Sequence, residues 1–471
     1  DQVQPFEMQS MKIEKSLRIE NGSVTVADQG ALTSDAMDEL ARTAVFGEQG
    51  ARDRARWLLW QIGQAVGVQP ASIHDLYIAR GRGETHGFTV PAINVRGMAY
   101  DTARSIFRVA RKMNAGAFIC EIARSEIAYT DQRPGEYVAV LLAAALREGF
   151  RGPLFIQGDH FQVSAKKYAT GPEGEVNAVK QLAREAIDAG FYNIDVDTST
   201  LVDLSRPNVV EQQRVNFERA AEMTKLIREI EPEGVTVSVG GEIGEVGTEN
   251  STVEELRAFM DGYNAAIGTG LTGLSKISVQ SGTSHGGVVL ADGSIADVKL
   301  DLETLETLSR VAREDYGLAG AVQHGASTLP DGAFNNFPRT ETAEIHLATN
   351  FQTMLYDHLP ETLRGEIYEW LRSNAKDERK EKDTDEQFFY KTRKKALGPF
   401  KRSFWDLDET IKSRLAAAYD AKFTFLFTQL AIADTAPIVA RFVKAPSIQK
   451  PEPHAGMEGV EAAPDDADLS D

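Results

Sequence analysis

The sequence predicts an α/β fold of the (β/α)8 TIM-barrel type, with helical extensions at its N-terminal and C-terminal ends. Between residues 88 and 351, short apolar segments alternate with amphipathic helical segments, as expected for parallel strands joined by helices. Eight such units in one run favour a closed barrel, and no Gly-x-Gly-x-x-Gly dinucleotide motif follows the first strand. The predicted strands are Phe88–Val95, Ala117–Ile122, Leu154–Gly158, Asn193–Asp197, Val235–Gly240, Lys276–Val279, Gly320–Gln323 and Glu344–Ala348.

Sequence patterning divides the chain into four regions. Residues 1–86 show helical periodicity and form a predicted helical N-terminal extension, and residues 87–359 hold the predicted barrel. Residues 360–446 are charged and helical, which indicates a C-terminal helical extension. Residues 447–471 are predicted to be a disordered acidic tail, because the stretch from Pro451 onward has seven acidic residues and no Lys or Arg.

Composition also argues against several kinds of partner. The chain has 70 acidic and 51 basic residues, a formal net charge of −19, which disfavours nucleic acid and anionic membranes. No segment approaches the ~20 apolar residues needed to cross a bilayer. The single cysteine, Cys120, fits a reducing compartment, and the first residues lack the pattern of a signal peptide. We therefore expect a cytoplasmic protein that acts on a small molecule.

Polar side chains follow several of the predicted strands, at the end of a barrel where active sites lie. The chain has eight histidines, and three of them, His160, His285 and His324, occupy such positions on different strands. Imidazoles beside carboxylates are typical ligands of a catalytic divalent ion, and zinc is the expected one. The pattern predicts one metal site at the mouth of the barrel, where the ion would act as a Lewis acid on a substrate carbonyl.

Five short motifs at successive strand ends resemble those of the class II, metal-dependent fructose-bisphosphate aldolases and their ketose-bisphosphate relatives. The motifs are Val90-Pro91-Ala92-Ile93-Asn94, Gly158-Asp159-His160, Gly241-Glu242-Ile243-Gly244, Ser284-His285-Gly286 and His324-Gly325-Ala326-Ser327. The resemblance implies that His160, His285 and His324 bind the catalytic metal. It also implies that Glu242 and Asp197 hold a second or alternative metal position, and it leaves open a second or monovalent cation.

The same resemblance suggests which residues move protons and hold substrate. Asp159 matches the acid/base group that handles the proton on the aldehyde-derived oxygen. A glutamate in the loop after strand five would move the carbon-bound proton, with Glu249 as the first candidate and Glu245 as the second. The implied substrate and phosphate contacts are Asn94, Gly286, Gly325, Ser327 and Thr349; His346 is either a replacement that holds a substrate hydroxyl or a structural residue.

The implied phosphate pocket departs from the family pattern. The lysine that usually follows His-Gly of strand six is absent from the run 287–290, which reads Gly-Val-Val-Leu. The strand-eight motif Asn-Ile-Asp-Thr-Asp is replaced by His-Leu-Ala-Thr-Asn at 346–350. The serine after strand two is not evident either, and Glu121 or Arg124 could replace it. The expected substrate is therefore fructose 1,6-bisphosphate or a related sugar phosphate.

The function implied by the resemblance is a reversible, metal-dependent retro-aldol cleavage of a phosphorylated ketose through a metal-stabilised enediolate. A Schiff-base mechanism is disfavoured, because no lysine stands at the mouth positions after strands six to eight. Two alternatives stay open, a non-catalytic metal-binding barrel subunit and a metal-dependent sugar-phosphate isomerase or epimerase. The resemblance further implies a homo-oligomer, dimeric or larger.

Overall fold

The computed structural model describes residues 11–244, 249–282, 290–291 and 300–453. Within these residues the predicted (β/α)8 barrel is confirmed, since eight parallel strands form a closed sheet. The strands are β1 (Leu17–Glu20), β2 (Ser23–Val26), β3 (Val68–Ala71), β4 (Val90–Asn94), β5 (Ile119–Ala123), β6 (Gly152–Gln162), β7 (Asn193–Asp197), β8 (Ser238–Glu242), β9 (Lys276–Val279), β10 (Ala321–Gln323) and β11 (Glu344–Leu347). Around the barrel the order is β4-β5-β6-β7-β8-β9-β10-β11, and β11 pairs with β4.

Helices surround the barrel and form both extensions. Many begin at polar caps that the sequence makes recognisable, such as Asn208, Thr252 and Asp301, whose side chains accept from backbone N–H groups of the first turn. No helix in the described ranges is long and apolar enough to cross a membrane. The helices are α1 (Asp35–Phe46), α2 (Gln49–Val66), α3 (His74–Gly81), α4 (Ala99–Lys112), α5 (Arg124–Tyr129), α6 (Pro134–Arg147), α7 (Ala165–Thr170), α8 (Pro172–Ala189), α9 (Val209–Ile230), α10 (Val253–Ile267), α11 (Leu302–Tyr316), α12 (Asn336–Arg339), α13 (Thr349–His358), α14 (Glu361–Asn374), α15 (Asp385–Thr392), α16 (Lys401–Trp405), α17 (Glu409–Gln429) and α18 (Ala436–Phe442).

Strand β6 carries an irregularity that shapes the mouth of the barrel. Its pairing with β7 shifts between Gly158 and Phe161, so that β6 has one extra residue there. The bulge contains Asp159 and His160, and His160 has a positive φ of 39°. Gly158 is required at this point, because a Cβ atom there would lie 2.4 Å from the Phe161 ring. The bulge therefore turns two neighbouring polar side chains toward the mouth.

Helical periodicity predicts an N-terminal extension made of helices, but this region also contains three short strands. Strands β1 and β2 form an antiparallel hairpin whose turn residues, Asn21 and Gly22, both have positive φ. Strand β3 pairs in parallel with β6 beside the closed ring. These strands have four residues each, and such short segments give weak period-two signals next to the long apolar faces of α1 and α2.

The segment 447–453 also differs from the prediction of a disordered tail. It lies along α2, where Trp57 Nε1 donates to the Lys450 carbonyl at 2.9 Å and Trp60 Nε1 donates to the Ile448 carbonyl at 2.7 Å. The Lys450 ammonium lies 4.0 Å above the Trp60 ring. Two buried indole donors thus need these carbonyls as partners, which the acidic composition could not reveal. Residues 454–471 lie outside the described part of the chain.

Candidate metal and active site at the barrel mouth

His160 is held by a carboxylate on the neighbouring strand. Its Nδ1 lies 3.1 Å from Asp197 Oδ2, and its other ring nitrogen is directed toward His324. Asp197 also accepts from Gln162 Nε2 at 2.6 Å and from the backbone N–H and hydroxyl of Ser199. Burial raises the pKa of Asp197, but the hydrogen bonds from His160, Ser199 and Gln162 bring it below its usual range. Asp197 therefore orients His160, as carboxylates behind metal-binding histidines do.

His324 follows strand β10 and meets His160 across the mouth. The two rings face each other with His324 Nδ1 and His160 Nε2 only 3.0 Å apart. The remaining nitrogen, His324 Nε2, lies 3.0 Å from the Ser278 hydroxyl. Each ring thus has one nitrogen engaged by a supporting residue, while the other two nitrogens converge. This spacing suits two imidazoles that share a metal ion, so the donor set fits the metal that the histidines predicted.

Glu242, the last residue of β8, lies beside the other nitrogen of each of these two rings. Its Oε2 lies 3.7 Å from His160 Nδ1 and 3.9 Å from His324 Nε2. The three side chains bring one donor atom each into a group compact enough for a cation. Burial first, and the nearby Asp197 second, raise the pKa of Glu242 well above its usual range. A divalent ion at this position would favour the ionised carboxylate.

Four predicted residues remain less defined. His285, Gly286 and Glu245 lie outside the described residues, so their predicted roles stay predictions. Glu249 is exposed and forms no hydrogen bond or ion pair within the part of the chain that the structure describes. Its proposed role in moving the carbon-bound proton likewise stays a prediction.

His346 lies between buried carboxylates, and its role as a substrate contact stays a prediction. Its Nε2 is 2.8 Å from Glu344 Oε1. Its Nδ1 is 3.1 Å from Glu121 Oε2 and 3.1 Å from Asp159 Oδ1. Burial lowers the pKa of His346, but Glu121 and Asp159 raise it well above its usual range. The ring also packs against His324, with centroids 4.0 Å apart, and so forms part of the same mouth.

Sequence reasoning missed a lysine inside the barrel. Lys276 begins β9 and is fully enclosed, with Nζ 2.7 Å from Gln157 Oε1, 2.8 Å from Asp195 Oδ1 and 2.5 Å from Glu344 Oε1. Burial lowers the pKa of Lys276, but the two carboxylates raise it above its usual range. A protonated, enclosed amine is a poor nucleophile, which agrees with the expectation of no Schiff base. A charged residue in an apolar strand was the available signal.

The predicted phosphate contacts lie where β10 and β11 end. Gly325 has a φ of 67°, and the backbone N–H of Ala348 donates to the Ser327 hydroxyl at 2.5 Å. Thr349 is the first residue of α13, so the positive end of that helix faces the same area. The enclosed Thr328 Oγ1 and Asn350 Oδ1 have no hydrogen-bond partner among the described residues. Unsatisfied polar atoms of this kind indicate room for a polar ligand.

Two predicted residues near β4 and β5, the first two strands of the barrel, have structural partners. Asn94 donates through Nδ2 to Glu126 Oε2 at 2.5 Å, while its Oδ1 has no partner in the described ranges. Arg124 is buried and forms an ion pair with Glu175 at 2.6 Å. Arg124 is therefore held within the fold, which leaves Glu121 as the replacement that reaches the mouth.

One known protein family matches most of this chain. The family model for fructose-bisphosphate aldolase class II matches residues 81–401. A fructose-bisphosphate aldolase of Giardia intestinalis is 25% identical over 250 residues, which are 53% of this chain and 64% of that protein. The chain thus aligns with less than two thirds of that relative's length.

Solved structures share the fold at low identity. The fructuronate-tagaturonate epimerase UxaE of Cohnella laeviribosi has a TM-score of 0.56 at 12% identity, with 90% of each chain covered. A probable tagatose 6 phosphate kinase of Sinorhizobium meliloti has a TM-score of 0.52 at 16% identity, covering 75% of this chain and 99% of that one. At these identities the likeness shows a common fold.

Proposed function

The chain belongs to the class II fructose-bisphosphate aldolase family, and on this premise we propose that it cleaves a phosphorylated ketose reversibly by a metal-dependent retro-aldol reaction. Fructose 1,6-bisphosphate is the first substrate to test. One observation carries the proposal: His160 Nε2 and His324 Nδ1 converge at 3.0 Å beside the Asp159 carboxylate.

The histidines of the mouth would hold the metal. His160, His324 and Glu242 would each offer one donor atom to a common group, and His285 is the predicted third imidazole. Zinc is the expected ion, and when bound it would polarise the ketose carbonyl and stabilise the enediolate that forms on cleavage. Asp197 and Ser278 act behind the ligands, since each engages the ring nitrogen that faces away from the converging pair.

Asp159 is the proposed acid/base group. It shares the β6 bulge with His160, and its Oδ1 lies 3.7 Å from His160 Nε2. In cleavage its carboxylate would accept the proton of the C4 hydroxyl, and in the synthetic direction it would return that proton to the aldehyde oxygen. The side chain is nearly buried, so bulk water has little access to this proton.

The substrate phosphate would lie at the start of α13. The Ser327 and Thr349 hydroxyls and the backbone N–H groups around Gly325 are available there, and Thr328 Oγ1 is unsatisfied. This arrangement could bind a phosphate without the lysine that the family usually places after the sixth strand of the barrel, which is β9 here.

The test combines metal analysis with a cleavage assay. We expect bound zinc, triose-phosphate release from fructose 1,6-bisphosphate, and loss of that release with a chelator. Asp159→Asn should retain the metal and lower kcat by about 10²–10⁴-fold, because it removes the proton acceptor. The matched control is Asp203→Asn, which changes an exposed carboxylate on the loop after β7. Unchanged cleavage by Asp159→Asn, or a wild-type protein that holds no metal, would contradict the proposal.

A second candidate function is supported by Glu121. This carboxylate and Asp159 both lie 3.1 Å from His346 Nδ1, and burial first and Asp159 second raise the pKa of Glu121 to about 8. Two carboxylates at one site could remove and return a proton from different directions, which would epimerise or isomerise a ketose without cleaving it. The similar fold named as a fructuronate-tagaturonate epimerase suggests fructuronate and tagaturonate as further probes.

Deuterium labelling separates the two functions. Epimerisation or isomerisation in D2O would place deuterium on the sugar carbon without releasing a shorter product, whereas aldol cleavage releases two fragments. Glu121→Gln should abolish the first activity and leave cleavage within about tenfold of wild type, since only the first needs both carboxylates. If Glu121→Gln instead lost cleavage and kept epimerisation or isomerisation, the epimerase candidate would be eliminated.

The assembly is also a proposal. By membership of the family we expect a homo-oligomer, dimeric or larger, in the cytoplasm, with a small-molecule sugar phosphate as its ligand and neither nucleic acid nor a membrane as partner. Light scattering coupled to size exclusion would measure the mass of the assembly against the 51.6 kDa chain.

A further inference from the structure

Ionic side chains occupy the interior of the barrel directly beneath the mouth. Barrel interiors are usually filled by layers of branched apolar residues. Here β9 contributes Lys276, β7 contributes Asp195 and β11 contributes Glu344, and all three are buried. Such a cluster costs desolvation energy that apolar residues would avoid, so its retention calls for a role beyond packing.

Glu344 is held from several sides. Its Oε1 accepts from Lys276 Nζ at 2.5 Å, from Gln157 Nε2 at 2.9 Å and from His346 Nε2 at 2.8 Å. Its Oε2 accepts from the Tyr77 hydroxyl. Burial raises the pKa of Glu344, but Lys276 and the bonded His346 and Gln157 lower it to about 2. The carboxylate therefore stays ionised and has one allowed orientation.

The fixed carboxylate orients His346. With Nε2 bonded to Glu344, rotation of the imidazole about its χ2 bond would break this 2.8 Å contact. Nδ1 is consequently held where it lies 3.1 Å from both Glu121 Oε2 and Asp159 Oδ1. His346 thus links the buried ion pair to the two carboxylates that the proposed chemistry uses.

Strand β8 makes room for the ion pair. A Cβ atom at Gly240 would lie 2.3 Å from Asp195 Oδ1 and 2.8 Å from Lys276 Cε. Any larger residue would displace the lysine from its place between Asp195 and Glu344. The backbone of a third strand is therefore shaped around this contact.

We propose that Lys276 and Glu344 are positioning residues that fix the His346 ring and, through it, the separation and direction of the Asp159 and Glu121 carboxylates. This inference rests on the proposed aldolase or epimerase function only for the measurement of kcat. The positions of Lys276, Glu344 and His346 support it independently of that function. Because reacting groups misplaced by about 1 Å can cost 10²-fold in rate, this positioning would act mainly on kcat.

The test removes both charges together. Removing Lys276 alone would leave the buried carboxylates of Asp195 and Glu344 without their shared cation and destabilise the fold for that reason alone. Lys276→Met combined with Glu344→Gln keeps the volume, removes the ion pair and leaves Asp195 with His346, whose Nε2 is 3.6 Å away, as its charged neighbour. We expect a folded, metal-binding protein whose kcat for fructose 1,6-bisphosphate falls about 10²-fold while KM changes by less than about threefold. In its crystal structure, His346 Nδ1 should no longer lie within hydrogen-bond distance of both carboxylates.

The matched control is an ion pair at the opposite end of the barrel, with one buried and one partly exposed partner. Arg80 and Glu341 are 2.9 Å apart, and the Arg80 side chain is almost fully enclosed. Arg80→Met combined with Glu341→Gln should lower the unfolding temperature by a similar amount and leave kcat within about twofold of wild type. This control separates a loss of stability from a loss of positioning.

Two results would overturn the proposal. One is a folded Lys276→Met, Glu344→Gln protein with wild-type kcat, and the other is a crystal structure in which the His346 ring has not moved. If this variant does not fold, Glu344→Gln alone is read in the same way, because its amide is isosteric and Lys276 keeps Asp195 as a charged partner. If the wild-type protein neither cleaves nor epimerises any probe, the proposed function fails, and the His346 position in the crystal structures then decides this inference by itself.

Discussion

The two ends of the barrel use buried charge differently. At the N-terminal end of the strands, Arg80 donates to the backbone carbonyls of Phe88 and Thr342 and forms an ion pair with Glu341. At the mouth and just beneath it, several buried carboxylates share the rings of His160 and His346 and the ammonium of Lys276. The first arrangement matches each charge with partners, as a stabilising contact requires. The second leaves raised pKa values at Glu121 and Glu242, which is characteristic of functional sites.

The largest expected difference between the two ends comes from their histidines. His324→Ala should remove the metal and reduce turnover to the background, because it deletes one of two converging nitrogens. His74→Ala, at the N-terminal end, should keep the metal and cost about 1–3 kcal/mol of the free energy of unfolding. Metal content by elemental analysis, turnover and denaturant unfolding of both variants check this. If folded His324→Ala protein retained its metal, the histidines of the two ends would not differ in metal binding and the prediction would be wrong.

A smaller effect is expected for charge removal at the N-terminal end alone. Arg80→Met should lower the free energy of unfolding by about 2–4 kcal/mol, since it takes a donor from two buried backbone carbonyls and the ion-pair partner from the partly exposed Glu341. Turnover of the remaining folded protein should be unchanged. Denaturant unfolding followed by circular dichroism measures the first quantity. A loss of turnover equal to that of mouth variants would show that the two ends are coupled.

The smallest effect is a dependence of stability on pH that originates at the N-terminal end. Burial first and Arg228 second lower the pKa of His74 from 6.5 to about 4. The unfolded chain therefore binds this proton more readily, and stability should fall as the pH decreases from about 6.5 to about 4, by up to about 3 kcal/mol. Above pH 6.5 the contribution of His74 is constant. His74→Gln should flatten the curve in that window, and an unchanged slope would assign it to other groups.

Local sequence patterns predicted the barrel and part of its mouth. Each of the eight strands contains a short apolar stretch, and burial on both faces makes such stretches recognisable without knowledge of their neighbours. The closed parallel sheet then places residues that follow different strands at one end, which is why His160 and His324 could be assigned to a common site. The order of short motifs was enough to indicate the family.

Other contacts depended on the tertiary structure. The pairing of β6 with β7 creates the bulge at Asp159 and His160, and no local signal specifies that extra residue. The same applies to Lys276 and Glu344, which are 68 residues apart and meet only because the barrel closes with a particular register. Their contact directs His346 toward Glu121 and Asp159, which its position at a strand end could not show.

The sequence by itself determined which segments become strands, which strand ends carry histidine and carboxylate, and which chemistry those residue types favour. Only the tertiary structure decided which carboxylate faces which ring. The physical reason is range: apolar periodicity acts over a few residues, whereas the direction of a buried side chain depends on strands from distant parts of the chain. Asp197 behind His160 and Glu344 behind His346 are both outcomes of that long-range packing.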